Sequence, residues 1–374
     1  MKAAVLGSGM MGSVIAKDLS TSRDVESVVV ADIDGERLAA LKRTAGNSRL
    51  TVEVQDLKDR GKTARFLKGF DVVVSALPHG VVHTADLAAV DAGAKTVNIA
   101  FEDEQMELDD AARKTGAVLI PGCGVAPGLA GILLADAVAE TGADEGHIMV
   151  GGVPENPLPP FGYKLVFSVV GLIREYTDPA RIYKDGRLLR VNPFDTIEEV
   201  MMPEPVGKME AFCTDGLASL VYTMKGMRVL DEKTLRWPGH AEKMNLFLES
   251  GFFSKEKMRV GGAEIAPIEM SWAVLGNKLA EGDGLDMTVM RVVAKSGKEE
   301  VVFDLLDRFD RKTGVTSMGR TTGYTGSIVS QMLGAGEVKG SGVIPPERAI
   351  SGGLVKRLTE ELETRGVRIA KKRS

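Results

Sequence analysis

The sequence predicts an α/β protein in which an N-terminal doubly wound Rossmann domain is followed by a second, antiparallel α+β domain. Three observations predict this architecture. A short apolar run, Lys2 to Leu6, enters a glycine-rich segment, Gly7 to Gly12, and a helical pattern follows. The next apolar run ends on Asp32, after which strand-like and helical segments alternate. Beyond residue 145 the strand-like segments become longer and are joined by tight turns.

The segment from Gly7 to Gly12 has the GxGxxG spacing of dinucleotide-binding sites. In that motif Gly7 allows the tight turn out of the strand, Gly9 lets the backbone approach a pyrophosphate, and Gly12 lets the helix pack closely. The helix N-terminus offers free N–H groups and a partial positive charge to the phosphates. The alternative is a glycine-rich turn in an unrelated α/β domain. The predicted cofactor contacts in this segment are Gly7, Ser8, Gly9, Met10, Met11 and Gly12.

Asp32 predicts NAD rather than NADP as the cofactor. It lies about 20 residues beyond the motif, where a carboxylate accepts hydrogen bonds from the adenosine ribose hydroxyls. The same negative charge would repel a 2′-phosphate. Ile33, also a predicted cofactor contact, supplies no cation to offset that charge, and Arg37 is the nearest one. On its predicted helix, Arg37 faces solvent.

The alternation of strands and helices continues to about residue 120 and predicts a parallel sheet of six strands. The predicted strands are Lys2–Leu6, Val28–Ala31, Leu50–Val54, Asp71–Ala76, Lys95–Ile99 and Ala117–Ile120. Ligands of such sheets bind beyond the carboxyl ends of the strands. Further cofactor contacts are therefore predicted at Ala76, Leu77, Pro78, Asn98, Gly122, Cys123 and Gly124.

The segment Pro121 to Gly128 marks the first domain boundary. Its three glycines and two prolines cannot continue a strand, and they are expected to leave a backbone with free donors. Cys123 is expected to be a small packed residue, and the N–H groups of Gly122 and Gly124 are expected to be the better ligand donors.

Hairpin patterns predict the antiparallel sheet of the second domain. The segment from Arg181 to Val191 contains an Asp-Gly turn, and a second hairpin joins two strands between Met287 and Leu306. We predict a Rossmann domain over residues 1–124 and a catalytic and dimerisation domain over 125–325. Residues 326–374 are predicted to form a C-terminal segment that packs back on the Rossmann domain.

The composition is that of an ordinary globular protein, with 44% hydrophobic and 26% charged residues. A net charge of −5 gives no reason to expect a nucleic-acid partner. No apolar run approaches the length of about 20 residues that a membrane helix needs, and the N-terminus begins a core strand rather than a signal peptide. The two cysteines fit a reducing compartment, so a cytoplasmic protein is expected. The scattered cysteines and histidines predict no metal site.

Several later segments, in their order and spacing, resemble one known family. They are Pro121–Gly128, Glu175–Arg181, Glu210–Leu217, Thr234–His240 and Asp286–Arg291. Together with the glycine motif they make the chain similar, over nearly its whole length, to the saccharopine dehydrogenase family, and most closely to its lysine 6-dehydrogenase branch. The loops Pro78–Gly80 and Phe101–Glu104 depart from the versions expected of a close lysine enzyme.

The resemblance implies a dinucleotide-binding domain and an antiparallel sheet domain that closes over the substrate and often pairs subunits. It implies chemistry on amino acids with a secondary or terminal amine, in which the cofactor takes hydride from the carbon next to nitrogen. The lysine branch oxidises the ε-carbon of L-lysine with NAD. The resulting semialdehyde cyclises to 1-piperideine-6-carboxylate, and ammonia is released.

Such a reaction needs a neutral amine and partners for the charged ends of the substrate. Arg236 and His240 flank a Trp-Pro-Gly turn, and we hypothesise that they lie on the cleft wall and fix the substrate carboxylate. The alternative for Arg236 is a structural salt bridge. His79 follows the fourth strand directly and is either a substrate-facing group that takes up a proton or a solvated helix-start residue.

Two further positions are predicted at the substrate site. Asp215 follows a predicted strand and either holds the substrate amino group or caps a helix. Thr321 corresponds to a substrate-contacting threonine of the saccharopine reductases, with a helix-capping role as its alternative.

The leading hypothesis is an NAD-dependent dehydrogenase acting on the CH–NH bond of lysine or a lysine-like amine. A rival within the same class is a saccharopine dehydrogenase or reductase, or a carboxynorspermidine-type amine-coupling enzyme, whose pocket would need an additional cation for a third carboxylate. A rival of another class is a non-catalytic NAD-binding sensor. A homodimer formed through the second domain is also predicted, because the strand Met287 to Ala294 is expected to expose an aggregation-prone face.

Overall fold

The computed structural model of the chain describes residues 1–165 and 169–374. Strands and helices alternate over the first part, which contains β1 (Lys2–Leu6), α1 (Met10–Thr21), β2 (Ser27–Asp32), α2 (Gly35–Ala45), β3 (Leu50–Val54), α3 (Arg60–Leu67), β4 (Val72–Ser75), α4 (Val82–Ala92), β5 (Lys95–Asn98), a 3₁₀ helix (Asp103–Leu108), α5 (Asp109–Thr115), β6 (Val118–Ile120) and α6 (Leu129–Thr141).

The remainder contains longer strands and more varied helices. They are β7 (Glu145–Pro154), α7 (Val169–Thr177), β8 (Ala180–Lys184), β9 (Arg187–Val191), a 3₁₀ helix (Pro193–Thr196), β10 (Glu198–Met202), β11 (Gly207–Cys213), α8 (Leu220–Thr223), β12 (Val229–Arg236), α9 (His240–Glu249), β13 (Met258–Val260), β14 (Ala263–Ile265), α10 (Pro267–Leu279), β15 (Asp286–Ser296), β16 (Glu299–Arg308), a π-helical turn (Gly319–Gly323), α11 (Tyr324–Gly334), β17 (Gly342–Val343), α12 (Pro346–Ala349), α13 (Gly353–Thr364) and β18 (Ile369–Arg373).

The first sheet is parallel and has the order β17-β6-β5-β4-β1-β2-β3. Every residue of β4 is buried, as expected for a strand covered by helices on both faces. The strand order reverses between β1 and β4, which is the place where ligands bind in doubly wound folds. The Rossmann architecture is thus confirmed. The prediction of six strands was one short, because the two residues of β17 arrive from far along the chain.

The glycine motif brings the start of α1 against the turn that follows β1. Gly7 has a φ of +98°, which favours glycine. A side chain at Gly12 would place its Cβ 2.0 Å from the carbonyl oxygen of Gly7. The backbone of α1 therefore packs directly on the turn, as the spacing of the motif predicts.

The second sheet has the order β10-β11-β12-β7-β15-β16-β18, and the hairpin of β8 and β9 joins it through β12. Its pairs are antiparallel except for β12 with β7, which run parallel. The sheet is therefore mixed, and the purely antiparallel description was too narrow. A long connection separates these two strands in sequence, so the chain can return in the same direction.

The reason given for a homodimer is wrong. Strand β15 lies between β7 and β16, and almost all of its first nine residues are buried within a single chain. It therefore exposes no aggregation-prone face. A homodimer stays a prediction based on the family resemblance alone.

The chain divides into two compact units. The first unit comprises residues 1–136, 218–223 and 319–368, and the second comprises 137–217, 224–318 and 369–374. The predicted domains divided the chain at residues 124 and 325 instead. The C-terminal segment is shared, since α13 belongs to the first unit while β18 pairs with β16 in the second sheet. No helix of the described residues has the length and apolar character needed to cross a membrane.

Candidate functional site

The cofactor end of the first unit is built on Gly9. This residue caps α1 with φ −67° and ψ −169°, and its carbonyl accepts the first helical hydrogen bond from the N–H of Ser13 at 2.9 Å. A Cβ added at Gly9 would have no heavy atom within 4 Å, so the backbone is open to an approaching group. The first turn of α1 contains no acidic residue. An open glycine at a helix N-terminus fits the pyrophosphate of a dinucleotide.

Asp32 ends β2 beside this helix. One carboxylate oxygen accepts hydrogen bonds from the N–H and the hydroxyl of Ser8, at 2.6 and 2.8 Å, and the other accepts from the N–H of Asp34 at 3.0 Å. Burial raises the pKa of the Asp32 carboxyl, but the hydrogen bonds from Asp34 and Ser8 outweigh burial and leave it below its ordinary value. The group is an ionised acceptor where the ribose hydroxyls of a dinucleotide would lie.

The charge of Arg37 helps to lower the pKa of Asp32, but the Arg37 guanidinium is paired with a different acid. Arg37 donates from Nε to Asp34 at 2.8 Å, and 60% of its side chain is exposed. Asp34 also caps α2 through the N–H groups of Glu36 and Arg37. Ile33 is 67% exposed and adds no charge. The acids Asp32, Asp34 and Glu36 therefore outnumber the cation Arg37 at the start of α2.

His79 lies in the turn that follows β4, together with the predicted contacts Ala76, Leu77 and Pro78. Its Nδ1 lies 2.8 Å from Oε1 of Glu102, which follows the neighbouring strand β5. The imidazole is 46% exposed and the Glu102 side chain 17% exposed. The resulting histidine–carboxylate pair stands at the carboxyl ends of adjacent strands, where the ligands of such sheets bind.

Asn98, a predicted cofactor contact, has a buried side chain with internal partners. Its amide donates to the carboxylate of Asp86 at 3.2 and 3.3 Å, and its carbonyl oxygen accepts from the N–H of Ala100 at 2.9 Å. Gln105 donates to the same carboxylate at 2.7 Å. Burial raises the pKa of Asp86 to about 7, in spite of the hydrogen bonds from Gln105 and Asn98. The Asn98 side chain therefore stabilises the loop after β5 through its hydrogen bonds.

The expectation of free donors in the turn after β6 is wrong. The N–H groups of Gly122, Cys123 and Gly124 donate to the carbonyls of Ala100, Asn98 and Pro127, at 2.9, 2.7 and 2.9 Å. Cys123 is fully buried, and burial raises the pKa of its thiol. It is a small packed residue, as expected. A cofactor role for this turn stays a prediction, and it would have to use surfaces other than these N–H groups.

Arg236 ends β12 in the second unit as a buried cation. Its guanidinium forms an ion pair with Glu175 and lies over the ring of Tyr163, 4.5 Å from the ring centroid. Its Nη1 also donates to the carbonyl of Leu235 at 2.9 Å. The ion pair is the structural salt bridge that the sequence left open, but the buried Nε of Arg236 has no hydrogen-bond partner among the described residues. A substrate contact of Arg236 stays a prediction.

His240 is not a cation. Its Nδ1 lies 2.9 Å from the carbonyl oxygen of Phe161, and its Nε2 lies 2.8 Å from the hydroxyl of Tyr176. A carbonyl only accepts, so Nδ1 donates and Nε2 accepts from the tyrosine. Burial, together with the charge of Arg236, lowers the pKa of His240 to about 3. Both ring nitrogens thus have partners within the protein, and a role for His240 in fixing a substrate carboxylate stays a prediction.

Asp215 and Thr321 lie in different units. Asp215 accepts hydrogen bonds from the N–H and Nε of Arg181, at 3.1 and 2.8 Å. Asp215 is therefore paired with an arginine rather than capping a helix. Thr321 is fully buried in the π-helical turn, and its carbonyl accepts from the hydroxyl of Thr325 at 2.7 Å. Such turns are frequent at functional sites, but Thr321 stays a prediction as a substrate contact.

Sequence reasoning missed Glu232, a buried carboxylic acid in β12. Its Oε2 accepts from the hydroxyl of Thr214 at 2.6 Å, and Thr214 in turn contacts the hydroxyl of Thr234 at 2.9 Å. Burial raises the pKa of Glu232 to about 8, against the opposing effect of Thr214. A carboxyl that stays protonated near neutral pH can donate a hydrogen bond. The strand pattern Val229 to Arg236 alternates too little to reveal which side of β12 is buried.

Comparison with known proteins agrees with this fold. A model described as the saccharopine dehydrogenase NADP binding domain matches residues 3–120, and one described as the saccharopine dehydrogenase C-terminal domain matches residues 124–367. The chain belongs to the saccharopine dehydrogenase family. The resemblance seen in the sequence is thereby confirmed at the level of the family.

One curated relative, the mitochondrial alpha-aminoadipic semialdehyde synthase of Rattus norvegicus, is 24% identical to this chain over 268 residues. The match covers 68% of this chain and 29% of that protein. The saccharopine dehydrogenase [NADP(+), L-glutamate-forming] of Schizosaccharomyces pombe is 24% identical over 271 residues, covering 67% of this chain and 58% of that protein. The chain thus spans less than two thirds of either relative.

Two solved structures share the fold. The apo saccharopine dehydrogenase (L-Glu forming) of Saccharomyces cerevisiae matches with a TM-score of 0.80 and 20% identity, over 100% of this chain and 99% of that one. The homospermidine synthase of Legionella pneumophila, in complex with NAD, matches with a TM-score of 0.68 and 12% identity. The match covers 100% of this chain and 91% of that one. At these identities the likeness establishes the fold.

Replacing Gly9 with valine is expected to abolish dinucleotide binding while the protein stays folded. The added side chain enters open space at the helix cap and displaces the pyrophosphate. We expect NAD affinity to fall by at least about a hundredfold, or about 2.8 kcal/mol, as measured by calorimetric titration.

Two valine variants serve as controls for Gly9→Val. Gly353 also lies in open space, at the start of α13, so Gly353→Val should retain NAD affinity. Gly12→Val should unfold the protein, because its Cβ would meet the carbonyl of Gly7 at 2.0 Å. A folded Gly9→Val variant that binds NAD normally would refute the site.

Replacing Glu232 with glutamine is expected to stabilise the protein at high pH. The pKa of Glu232 is about 8 when folded and near its ordinary value of 4.5 when unfolded, so its favourable contribution is present below about 4.5 and is lost as pH rises through 8. Between pH 5 and pH 9, urea unfolding should show the unfolding free energy of the variant rising relative to that of the wild type by on the order of 4 kcal/mol.

The matched control for Glu232→Gln is Glu242→Gln, which changes an exposed carboxylate on α9. It should leave the difference in unfolding free energy between pH 5 and pH 9 unchanged. Equal pH dependence in wild type and Glu232→Gln would show that Glu232 is ionised in the folded protein.

Proposed function

We propose that this chain is an NAD-dependent dehydrogenase that oxidises the CH–NH bond of a lysine-like amine. The preferred reaction is oxidative deamination of the 6-amino group of L-lysine to the semialdehyde, which closes to 1-piperideine-6-carboxylate. The observation that carries the cofactor part is the ionised Asp32 beside the open cap at Gly9. The proposed substrate rests on family membership and on the ion pairs that Arg236 and Arg181 already make within the protein.

NAD is proposed over NADP even though the matching model and the S. pombe relative are described with NADP. Asp32 has a lowered pKa and is ionised at any ordinary pH, and Asp34 and Glu36 add further negative charge beside it. The one nearby cation named by the sequence, Arg37, is held by Asp34. A 2′-phosphate would meet unbalanced acidic groups in this part of the first unit.

Each residue of this site has a distinct task in the proposed reaction. The N-terminus of α1 with Gly9 binds the pyrophosphate, and Asp32 accepts the ribose hydroxyls. Ser8 holds the Asp32 carboxylate in place through two hydrogen bonds. When bound, NAD supplies the hydride acceptor.

The arginines of the second unit support a substrate with few carboxylates. Arg236 is paired with Glu175, and Arg181 is paired with Asp215. Both arginines lie in segments that resemble the family motifs, and each already has a carboxylate partner. A substrate with a third carboxylate, such as saccharopine, would have to displace one of these acids at the cost of leaving it unpaired. Lysine has one carboxylate to accommodate rather than three.

The experiment that tests this function is an NADH-formation screen with lysine, ornithine, saccharopine and polyamines. Lysine should give the highest kcat/KM, together with ammonia and the cyclic imine. Saccharopine as the fastest substrate would favour the amine-coupling enzymes. NAD binding without turnover of any amine would favour the sensor.

The cofactor preference should reverse when the charge at the end of β2 is reversed. The double variant Asp32→Ser/Ile33→Arg removes the carboxylate and adds a cation for the 2′-phosphate. We expect the ratio of NADP to NAD affinity to rise by roughly ten- to a hundredfold, or about 1.4–2.8 kcal/mol. Calorimetric titration with both cofactors measures this ratio.

The control for the cofactor switch is Glu36→Ser, which removes one negative charge near the start of α2 without touching Ser8. It should change the ratio of the two affinities by much less than the double variant. Wild-type protein that binds NADP as tightly as NAD would contradict the role given to Asp32.

A further inference from the structure

His79 and Glu102 come from different segments of the chain and meet in the first unit. His79 follows β4 and Glu102 follows β5, and these strands are neighbours in the parallel sheet. Nδ1 of His79 lies 2.8 Å from Oε1 of Glu102. The imidazole is about half exposed, whereas the carboxylate is mostly covered. The exposed member of the pair, the imidazole, is therefore the one that an approaching group can reach.

Glu102 is held in place by its surroundings. It caps the 3₁₀ helix in a reciprocal arrangement, since its side chain accepts from the backbone N–H of Gln105 and its own N–H donates to Oε1 of Gln105 at 2.8 Å. Gln105 is in turn anchored on the buried carboxylate of Asp86 at 2.7 Å, which Asn98 also contacts. A chain of hydrogen bonds thus runs from the core to the imidazole.

The orientation of the imidazole follows from the chemistry of its partner. An ionised carboxylate only accepts hydrogen bonds, so the proton of a neutral His79 must lie on Nδ1. Its Nε2 then carries the lone pair. Such a support is how histidines are held in one tautomer at functional sites.

We propose that Glu102 is a positioning residue that holds His79 with its proton on Nδ1, so that Nε2 accepts the proton of the substrate ammonium. This inference rests on the proposed function, because it names the group that makes the amine neutral before oxidation. Glu102 then stabilises the imidazolium that forms. The pair supplies the acid–base group that the oxidation of an ammonium substrate requires.

The step balances as follows for a primary amine. The N–H bond of the ammonium breaks, and its proton moves to Nε2 of His79, leaving a neutral amine. The adjacent C–H bond then breaks, its electron pair leaves with the hydrogen as hydride to oxidised NAD, and the nitrogen lone pair completes the C=N bond of an iminium. Water adds to that carbon, the C–N bond breaks, and ammonium leaves with the aldehyde. The proton on His79 returns to solvent.

Titratable groups also lie on the neighbouring 3₁₀ helix, on α4 and on α8. Asp103 lies beside Glu102 on the 3₁₀ helix and accepts from the hydroxyl of Tyr222 at 2.7 Å. On α4, Asp86 accepts a hydrogen bond from Gln105, and His83 is exposed as the second residue of the helix. Any pH profile must be interpreted with these groups in view, and His83 provides a matched histidine control.

The first test is the tautomer of His79, read from ¹⁵N shifts of the imidazole nitrogens in a protein that has only four histidines. Wild-type protein should show neutral His79 protonated on Nδ1. Glu102→Ala should lose that preference, and Glu104→Ala, which changes an exposed residue of the same 3₁₀ helix, should keep it. Protonation of the wild-type ring on Nε2 would overturn the proposal.

The second test is turnover of the amine found in the substrate screen. His79→Gln should lower kcat by at least about a hundredfold, and Glu102→Ala by roughly ten- to a hundredfold, with NAD affinity unchanged. Glu102→Gln keeps an oxygen that can cap the helix and contact Nδ1, so this variant should remain folded. Its kcat should fall less than that of Glu102→Ala, because it loses only the negative charge that stabilises the imidazolium. His83→Gln should behave as wild type. Unchanged kcat in Glu102→Ala would overturn the proposal.

The two tests separate this inference from the proposed function. If no amine is oxidised, the proposed function fails together with the proton-acceptor role, while the tautomer measurement still decides whether Glu102 orients His79. If lysine is oxidised but His79→Gln retains full kcat at all pH values, the function stands and the role of the pair is refuted.

Discussion

The contact between the start of α1 and the turn after β1 is the constraint on which the first unit depends. No side chain fits at Gly12, because a Cβ there would lie 2.0 Å from the carbonyl oxygen of Gly7. Backbone therefore packs on backbone, and the N-terminus of α1 is fixed at the end of the strand with Gly9 as its open cap. The same geometry brings the N–H and hydroxyl of Ser8 onto Asp32. One packing constraint thus places both the anion-binding helix end and the carboxylate.

In the second unit, burial decides what the polar side chains of β12 can do. Glu232 and Arg236 are separated by an even number of residues and share one face of the strand. Arg236 is compensated by Glu175, and Glu232 has a raised pKa that keeps it largely neutral. His240, close to Arg236, is left uncharged. Buried ions are stable only when paired, and otherwise give up their charge. Arg236 and His240, which were chosen from the sequence as substrate contacts, therefore already have partners within the protein, although the Nε of Arg236 has none among the described residues.

Much of the fold was predictable because its signals are local. The segments predicted for β1 and β3 have their observed bounds, and the Asp-Gly turn identified the hairpin of β8 and β9. The pairing of distant segments was not predictable. Strand β17 has only two residues, too few for a periodic pattern, and β18 could not be assigned to the second sheet from its own sequence. The parallel pairing of β12 with β7 likewise depends on contacts far apart in the chain.

The sequence by itself determined the fold class and the cofactor fingerprint ending at Asp32, because these follow from glycine sterics and from the pattern of buried strands. The family resemblance came from the order and spacing of the motif segments along the chain. Only the tertiary structure decided which polar groups still have hydrogen-bonding capacity for a ligand. It showed that the N–H groups of the turn after β6 are already bonded, and that the proton of His240 lies on Nδ1. It also brought Glu102 to His79, two residues on separate strand ends. Hydrogen-bond partners and charge states depend on burial and on which distant segments meet, and a single sequence carries neither in any local pattern.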